Sequence, residues 1–286
     1  MIPLGVQVDG SANPVERITF LKERGFESFS LSFWQHTGAV DLERLADEIA
    51  ALGIRLSSLS VYGNVLSGDE SAEGTARAWR DFVRLAPRFG TDLVSGFAGR
   101  IPGTPVDRCI DAWKGFFSPL LENAGRSDVR LAFENCRMGG TWKTGNWNIA
   151  INPDAWALME AALPSASWGI EWEPGHAVLG LADPHVQLES CVSRVLHVHG
   201  KDGSVDAANL ARNGCTGSAP SGTFRYPGFG DCDWKRIFSI LDRAGYGGTV
   251  DIECGHDPVY CGDREDEGLM LSREYLDSSR RPLAGL

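Results

Sequence analysis

The chain has 286 residues, 43% hydrophobic and 23% charged, with 27 Lys and Arg against 38 Asp and Glu for a formal charge of −11. A soluble globular chain of this size buries about three quarters of its unfolded surface, and the composition excludes disorder, collagen and coiled coil. The acidic balance repels phosphate backbones and anionic lipid, so neither nucleic acid nor membrane is an expected partner.

The opening MIPLGVQVDG carries no basic region and no long apolar run, so no signal peptide is expected. Residues 2–8 read as a first strand and 14–25 as an amphipathic helix beginning at a Pro. The turn between them, VDGSANP, lacks the G-x-G-x-x-G phosphate fingerprint of a doubly wound dinucleotide fold. A second strand over 28–33 leads into Trp34, Gln35 and His36, then a helix over 41–53. A third strand, 55–61, runs toward Asn64, and a helix follows over 75–90. A fourth strand, 92–98, leads into GFAGRIPG with Arg100. Further strands at 129–135, 168–173, 194–199 and 249–254 make eight, with a helix over 233–247 before the last. Eight strand–helix units with no linker or composition break predict an α/β fold: one (β/α)8 TIM barrel spanning 1–286, with a doubly wound sheet as the alternative. The connection 203–231 is the longest, rich in Gly, Ser and Asn, and is expected to be a functional or mobile loop.

Barrels of this kind place their chemistry at the C-terminal ends of the strands. Four of the later strands end in strong ligands: Glu134 in LAFEN, Glu173 in GIEWEPGH, His199 in LHVHGKD and Glu253 in VDIECG. Side chains two apart share a face. The acidic and imidazole residues therefore line the interior, while Phe133, Trp172, Val198 and Ile252 face the helices. Carboxylates crowded in one pocket repel, and burying unpaired charge costs several kcal/mol per ion. Either they take up protons or a cation sits among them. Three carboxylates and one imidazole suit one divalent ion, Mn²⁺ or Mg²⁺ first, with Co²⁺ and Zn²⁺ as alternatives. A deeper row, Glu171, His197 and Asp251, is placed either to orient those ligands or to form a satisfied polar cluster.

Seven widely spaced Cys, odd in number and without C-x-x-C, fit a reducing cytoplasm rather than a disulfide framework. Lys201, two positions beyond His199, is either a substrate contact or a rim lysine. Trp34, Asn64, Arg100 and Arg225 are candidate substrate contacts at the same face, with His256 as a contact or a strand cap. Most of the nine Trp, including Trp142, Trp147 and Trp156, are read as packing residues.

The pieces S-V-Y-G-N (60–64), F-E-N (133–135), E-P-G-H (173–176), H-V-H-G-K-D (197–202), Y-P-G-F-G-D-C-D-W (226–234) and G-Y-G-G-T-V-D-I-E (245–253) occur in this order. In them the chain resembles the sugar phosphate isomerase/epimerase family of xylose-isomerase-like barrels. The resemblance implies one divalent metal held by Glu134, Glu173, His199 and Glu253. It implies that Glu134 and Glu253 form the proton-transfer pair and that His176 helps hold substrate. The family usually has Asp where this chain has Glu173, so that ligand is expected to bind differently or to displace the ion. His197 is an alternative to His199, although the second His of such a pair is the usual ligand. The implied function is a metal-dependent epimerase or isomerase of a sugar, working by proton abstraction next to a carbonyl through an enediolate that the ion stabilises. The alternative is a lyase or dehydratase that eliminates water or an aglycone from a keto-sugar, keto-inositol or ketoglycoside. A non-catalytic carbohydrate-binding subunit is a third reading. Relatives of this kind are often homo-oligomers. A DNA-repair endonuclease of this fold needs more His ligands than six and a basic groove, which the charge opposes.

Overall fold

A computed structural model describes residues 1–253 and 255–281 of the chain. Eight parallel strands close into a barrel in the order β1-β10-β7-β6-β5-β4-β3-β2, with helices on the connections: an α/β TIM barrel. The strands are β1 (Leu4–Asp9), β2 (Ser28–Trp34), β3 (Arg55–Tyr62), β4 (Leu93–Gly96), β5 (Arg130–Glu134), β6 (Trp168–Trp172), β7 (Val195–Gly200) and β10 (Val250–Ile252). They match the eight expected from apolar alternation, most of them trimmed or extended at the ends. The expected last strand ran to Cys254, which lies outside the described residues.

The connection 203–231 is not a plain loop. It holds a two-stranded antiparallel sheet, β8 (Asp202–Val205) with β9 (Gly222–Arg225), and between them the short helix α8 (Ala207–Asn213). Neither DGSV nor GTFR carries a strand signal of its own, which is why the sequence shows only polar connection there.

Contacts group the chain into two compact units. The larger comprises Gln7–Trp172 and Arg194–His197. Its centre is aromatic. Helices α3 (Glu70–Phe89) and α4 (Val106–Gly125) bring Trp79, Trp113 and Phe117 against Phe133 and Trp168 of the strands, with ring centroids 4.8–6.0 Å apart. Edge-to-face pairs of this kind add about 0.5–1.5 kcal/mol each beyond their buried area. Helix α3 begins five residues before the apolar periodicity at 75–90, because Asp69 accepts from the backbone N–H groups of Ser71 and Ala72 and caps the turn. It stops at Gly90, in the left-handed conformation at φ 79°.

The smaller unit comprises Met1–Val6, Glu173–Ser193 and the described residues from Val198 onward. Here β10 lies between β1 and β7, pairing Leu4 with Val250 and Asp251 with His199. Helix α9 (Trp234–Arg243), capped by Asp233, buries Trp234, Ile237, Phe238, Ile240 and Leu241 on one stripe. The last helix, α10 (Glu265–Ser279), is followed by Arg280, whose Nη1 donates to the carbonyl of Ile2 at 2.7 Å. Among the described residues no helix is long and apolar enough to cross a membrane.

Candidate functional site

In the smaller unit, three expected ligands come together. Glu173 stands one residue past β6, at the N-cap of α6 (Pro174–Leu179), instead of ending the strand as its alternation suggests. Pro174 starts the helix, and Gly175 lets it sit close: a Cβ there would lie 2.8 Å from the Asp202 carbonyl and 3.1 Å from Glu173 Oε1. A glycine two residues on thus leaves room for the Glu173 carboxylate. His199 comes from β7, and Glu253 follows β10. Glu173, His199 and Glu253 each offer one ligand atom, and these atoms lie within 4.8 Å of one another. His199 Nδ1 is 3.4 Å from Glu253 Oε2 and 3.8 Å from Glu173 Oε2. Ligand atoms about 2.1 Å from a shared ion stand roughly 3.0 Å apart in an octahedron and 3.4 Å apart in a tetrahedron. The spacing therefore fits a common divalent ion after a small contraction.

Lys201 is the cation that the sequence leaves undecided. It is buried, with Nζ donating to Glu253 Oε1 at 2.6 Å and 3.6 Å from Glu173 Oε2. Glu253 thus divides its oxygens, Oε1 toward the ammonium and Oε2 toward His199. Burial pushes the Glu253 carboxyl up, but Lys201, His199 and His256 together outweigh it and hold the pKa well below the ordinary carboxylate range. Two carboxylates against one ammonium leave one negative charge, a balance that a dication can take up. His176 Nε2 lies 3.4 Å from Glu173 Oε2, and the exposed His256 places Nδ1 3.7 Å from Glu253 Oε1.

Two buried aspartates that sequence reading missed hold this mouth in shape. Asp202 accepts from the backbone N–H groups of Gly203, Gly228 and Cys232 and from Trp234 Nε1, at 2.8–3.2 Å. Burial raises its pKa against those donors. Asp257 accepts from Arg225 Nε and from the backbone N–H groups of Tyr226, Val259 and Tyr260, at 2.8–3.0 Å. Burial raises its pKa, but these donors prevail and set it below the ordinary value. Arg225, expected to meet substrate, is engaged with Asp257. The H-G-K-D and G-H-D segments carried these residues, yet nothing in sequence separates an anchoring Asp from a solvated one.

In the larger unit, Glu134 closes β5 and is buried. Asn148 clamps its neighbourhood, with Nδ2 donating to the carbonyls of Glu134 and Cys136 and Oδ1 accepting from the N–H of Ala98. Glu171 and His197 of the deeper row pair directly, His197 Nδ1 to Glu171 Oε1 at 2.7 Å. The other oxygen of Glu171 accepts from Tyr62 Oη at 3.0 Å, and Tyr62 Oη accepts from Gln7 Nε2 at 3.2 Å. With Glu171 ionised, this bond places the imidazole proton on Nδ1 of His197.

Asn64 and Arg100, expected to touch substrate, are bound up in their own loops. Asn64 Nδ2 donates to the carbonyls of Arg100 and Asn146, and its Oδ1 accepts from the N–H groups of Leu66 and Arg100. The Arg100 guanidinium is buried and donates to the carbonyls of Thr104, Thr141 and Trp142 at 2.7–3.0 Å. Both therefore shape the rim. Trp34 is 53% exposed, its ring 5.2 Å from that of Trp147 and edge-on to Phe97, so much of its surface remains open to a ligand.

The chain belongs to the xylose isomerase-like TIM barrel family, whose model matches residues 18–278. An inosose dehydratase from Clostridium tetani is 33% identical over 122 residues, 42% of this chain and 40% of that protein. The chain thus spans about two fifths of the length of such curated relatives. A xylose isomerase domain protein from Planctomyces limnophilus superposes with a TM-score of 0.75 at 15% identity, over 98% of this chain and 97% of that one. A 3-keto-D-glucoside 4-epimerase from E. coli superposes with a TM-score of 0.71 at 14% identity, over 97% of this chain and 100% of that one. At those identities the superpositions show the fold alone.

Proposed function

We propose that this member of the xylose isomerase-like family is a cytoplasmic, divalent-metal-dependent epimerase or isomerase of a keto-sugar. The observation that carries the reading is the cluster of Glu173, His199 and Glu253 with Lys201 against it. In this proposal Glu173, His199, Glu253 and Glu134 hold the ion, with Mn²⁺ preferred. A bound divalent ion supplies charge that makes a C–H beside a carbonyl acidic enough for a carboxylate to remove its proton. The chain's own groups do the rest. Glu253 is kept ionised, the form that accepts a proton, and Glu134 is its partner on the opposite face of the substrate. The C–H bond breaks toward one carboxylate and its electrons pass to the carbonyl carbon–oxygen unit. The other group, in its carboxylic acid form, gives its proton to the opposite face of the same carbon, which re-forms the carbonyl and inverts the centre. In this proposal Lys201, His176 and Trp34 contact the substrate.

A second reading is elimination, favoured by the inosose dehydratase match. The same proton is removed, but the electrons then expel a β-hydroxyl, which leaves as water after taking up a proton. Among the described residues six cysteines form no disulfide, which suits the reducing cytoplasm of this proposal. Homo-oligomer formation, and the absence of nucleic-acid and membrane partners, are parts of the proposal that light scattering and low-salt binding to duplex DNA and anionic vesicles check.

The deciding experiment incubates Mn²⁺-loaded protein in D₂O with ketohexoses, 3-keto-glucosides and inososes, followed by NMR and mass spectrometry. Deuterium at the carbon beside the carbonyl in a stereoisomeric product supports epimerisation. Loss of water supports elimination. No exchange on any substrate overturns both readings.

A further inference from the structure

We propose that Phe224 is a specificity-determining residue of this site, an aromatic plate for the C–H face of a cyclic polyol. Phe224 lies on β9, in the excursion outside the barrel, and belongs to no run of apolar residues. Its ring stands among polar groups. Lys201 Nζ is 4.5 Å from the ring centroid, and the imidazoles of His176 and His256 meet it edge-on at 5.0 and 6.0 Å. Gly203, paired with it across the hairpin, has no side chain to cover it.

A half-buried phenylalanine among an ammonium and two imidazoles adds little to a core. Its chemistry there is a flat apolar surface with an electron-rich face. Lys201 Nζ lies over one face of the ring, so the opposite face is the one assigned to a ligand with hydroxyls around its edge and C–H bonds on its face: a closed ring whose oxygens reach Lys201 and His176 past the rim. An open-chain ketose has no rigid C–H face to lay against it. The plate is also held in place. Asp257 anchors Arg225 and Tyr226 on one side of Phe224, and Asp202 ties the base of β8 to Gly228 and Cys232. A Cβ at Gly230 would lie 2.3 Å from Asp202 Oδ1, so this turn closes tightly on its anchor.

The inference rests on the carbohydrate reading, in that it seats the ligand at the same cluster, but its test does not need turnover. Binding of myo-inositol and of sorbitol, both lacking a carbonyl, is measured by calorimetry on the Mn²⁺-loaded protein. Wild type is expected to bind the ring more tightly than the chain. Phe224→Ala and Phe224→Leu are each expected to weaken myo-inositol about tenfold, while Phe224→Tyr stays within about threefold and sorbitol changes by less than about threefold in every variant. Unchanged thermal melting of the Leu and Tyr variants separates the effect from misfolding. No myo-inositol binding to wild type, equal binding to wild type and Phe224→Leu, or equal losses for both polyols overturns the assignment. A protein that discriminates as expected yet exchanges no hydrogen on any ketone refutes the proposed reaction and leaves the plate standing.

Discussion

Replacing Lys201 by Met tests the electrostatics of the site most directly. In the metal-free protein Lys201 is the buried ammonium set against two carboxylates, 2.6 Å from Glu253 and 3.6 Å from Glu173. At an effective dielectric of about 20, the nearer contact alone is an attraction of about 6 kcal/mol. The variant is spared the burial of an ammonium, which offsets several kcal/mol. A net loss of about 3 kcal/mol at pH 7 is expected, read from urea midpoints in the presence of chelator with an unchanged slope. The pH dependence has a definite sign. Glu253 has a depressed folded-state pKa, so its contribution is present above the unfolded value of about 4.3 and lost as pH falls through the lower folded value. Without Lys201 that folded value rises, so the gap between wild type and variant is full at neutral pH and closes below about pH 4. Added Mn²⁺ is expected to narrow the gap at pH 7, since a dication substitutes for the missing charge. A difference below about 1 kcal/mol at pH 7, or one that widens on acidification, would refute the reasoning.

Glu253→Gln and Glu134→Gln are each expected to lower kcat by about 10²–10⁴, and Glu253→Gln is also expected to lower the melting temperature, since it takes the nearest carboxylate from the buried Lys201 ammonium; steady-state kinetics beside calorimetric scans checks this, and an active Glu253→Gln removes it from proton transfer. Asp257→Ala strips Arg225 Nε and three backbone N–H groups of a common acceptor. It should cost about 2–4 kcal/mol at pH 7. That contribution is present above about pH 4 and fades as pH falls through the depressed folded value, so wild type and variant converge in acid denaturation curves. Arg100→Lys keeps the charge but not the fork that spans three carbonyls. It should destabilise by about 2 kcal/mol with KM unchanged within about threefold, whereas a substrate-holding arginine would show the reverse pattern.

Much of the barrel is legible because buried parallel strands must alternate one face toward the helices and one toward the interior, and this chain writes that alternation in Phe133 beside Glu134 and Val198 beside His199. Glu171 and His197 were readable as inward-facing, and their direct bond follows from neighbouring strands. Arg100 and Asn64 mislead for a physical reason. A guanidinium that satisfies three carbonyls and one that awaits a ligand are the same letter, and only the path of the 137–147 segment tells them apart. Lys201 was ambiguous in the same way, since its partners come from Glu173 and Glu253, far away in sequence. The hairpin around Phe224 was hidden because Asp202 and Asp257 hold its ends through tertiary hydrogen bonds, while its own residues carry neither alternation nor β-branched runs.

The bond from Arg280 to the carbonyl of Ile2 spans nearly the entire polypeptide, as does the pairing of Leu4 with Val250. Contacts between residues so far apart along the chain carry a large loop-closure cost, so the seam of β1 with β10 is expected to be among the last parts of the barrel to zip shut in folding.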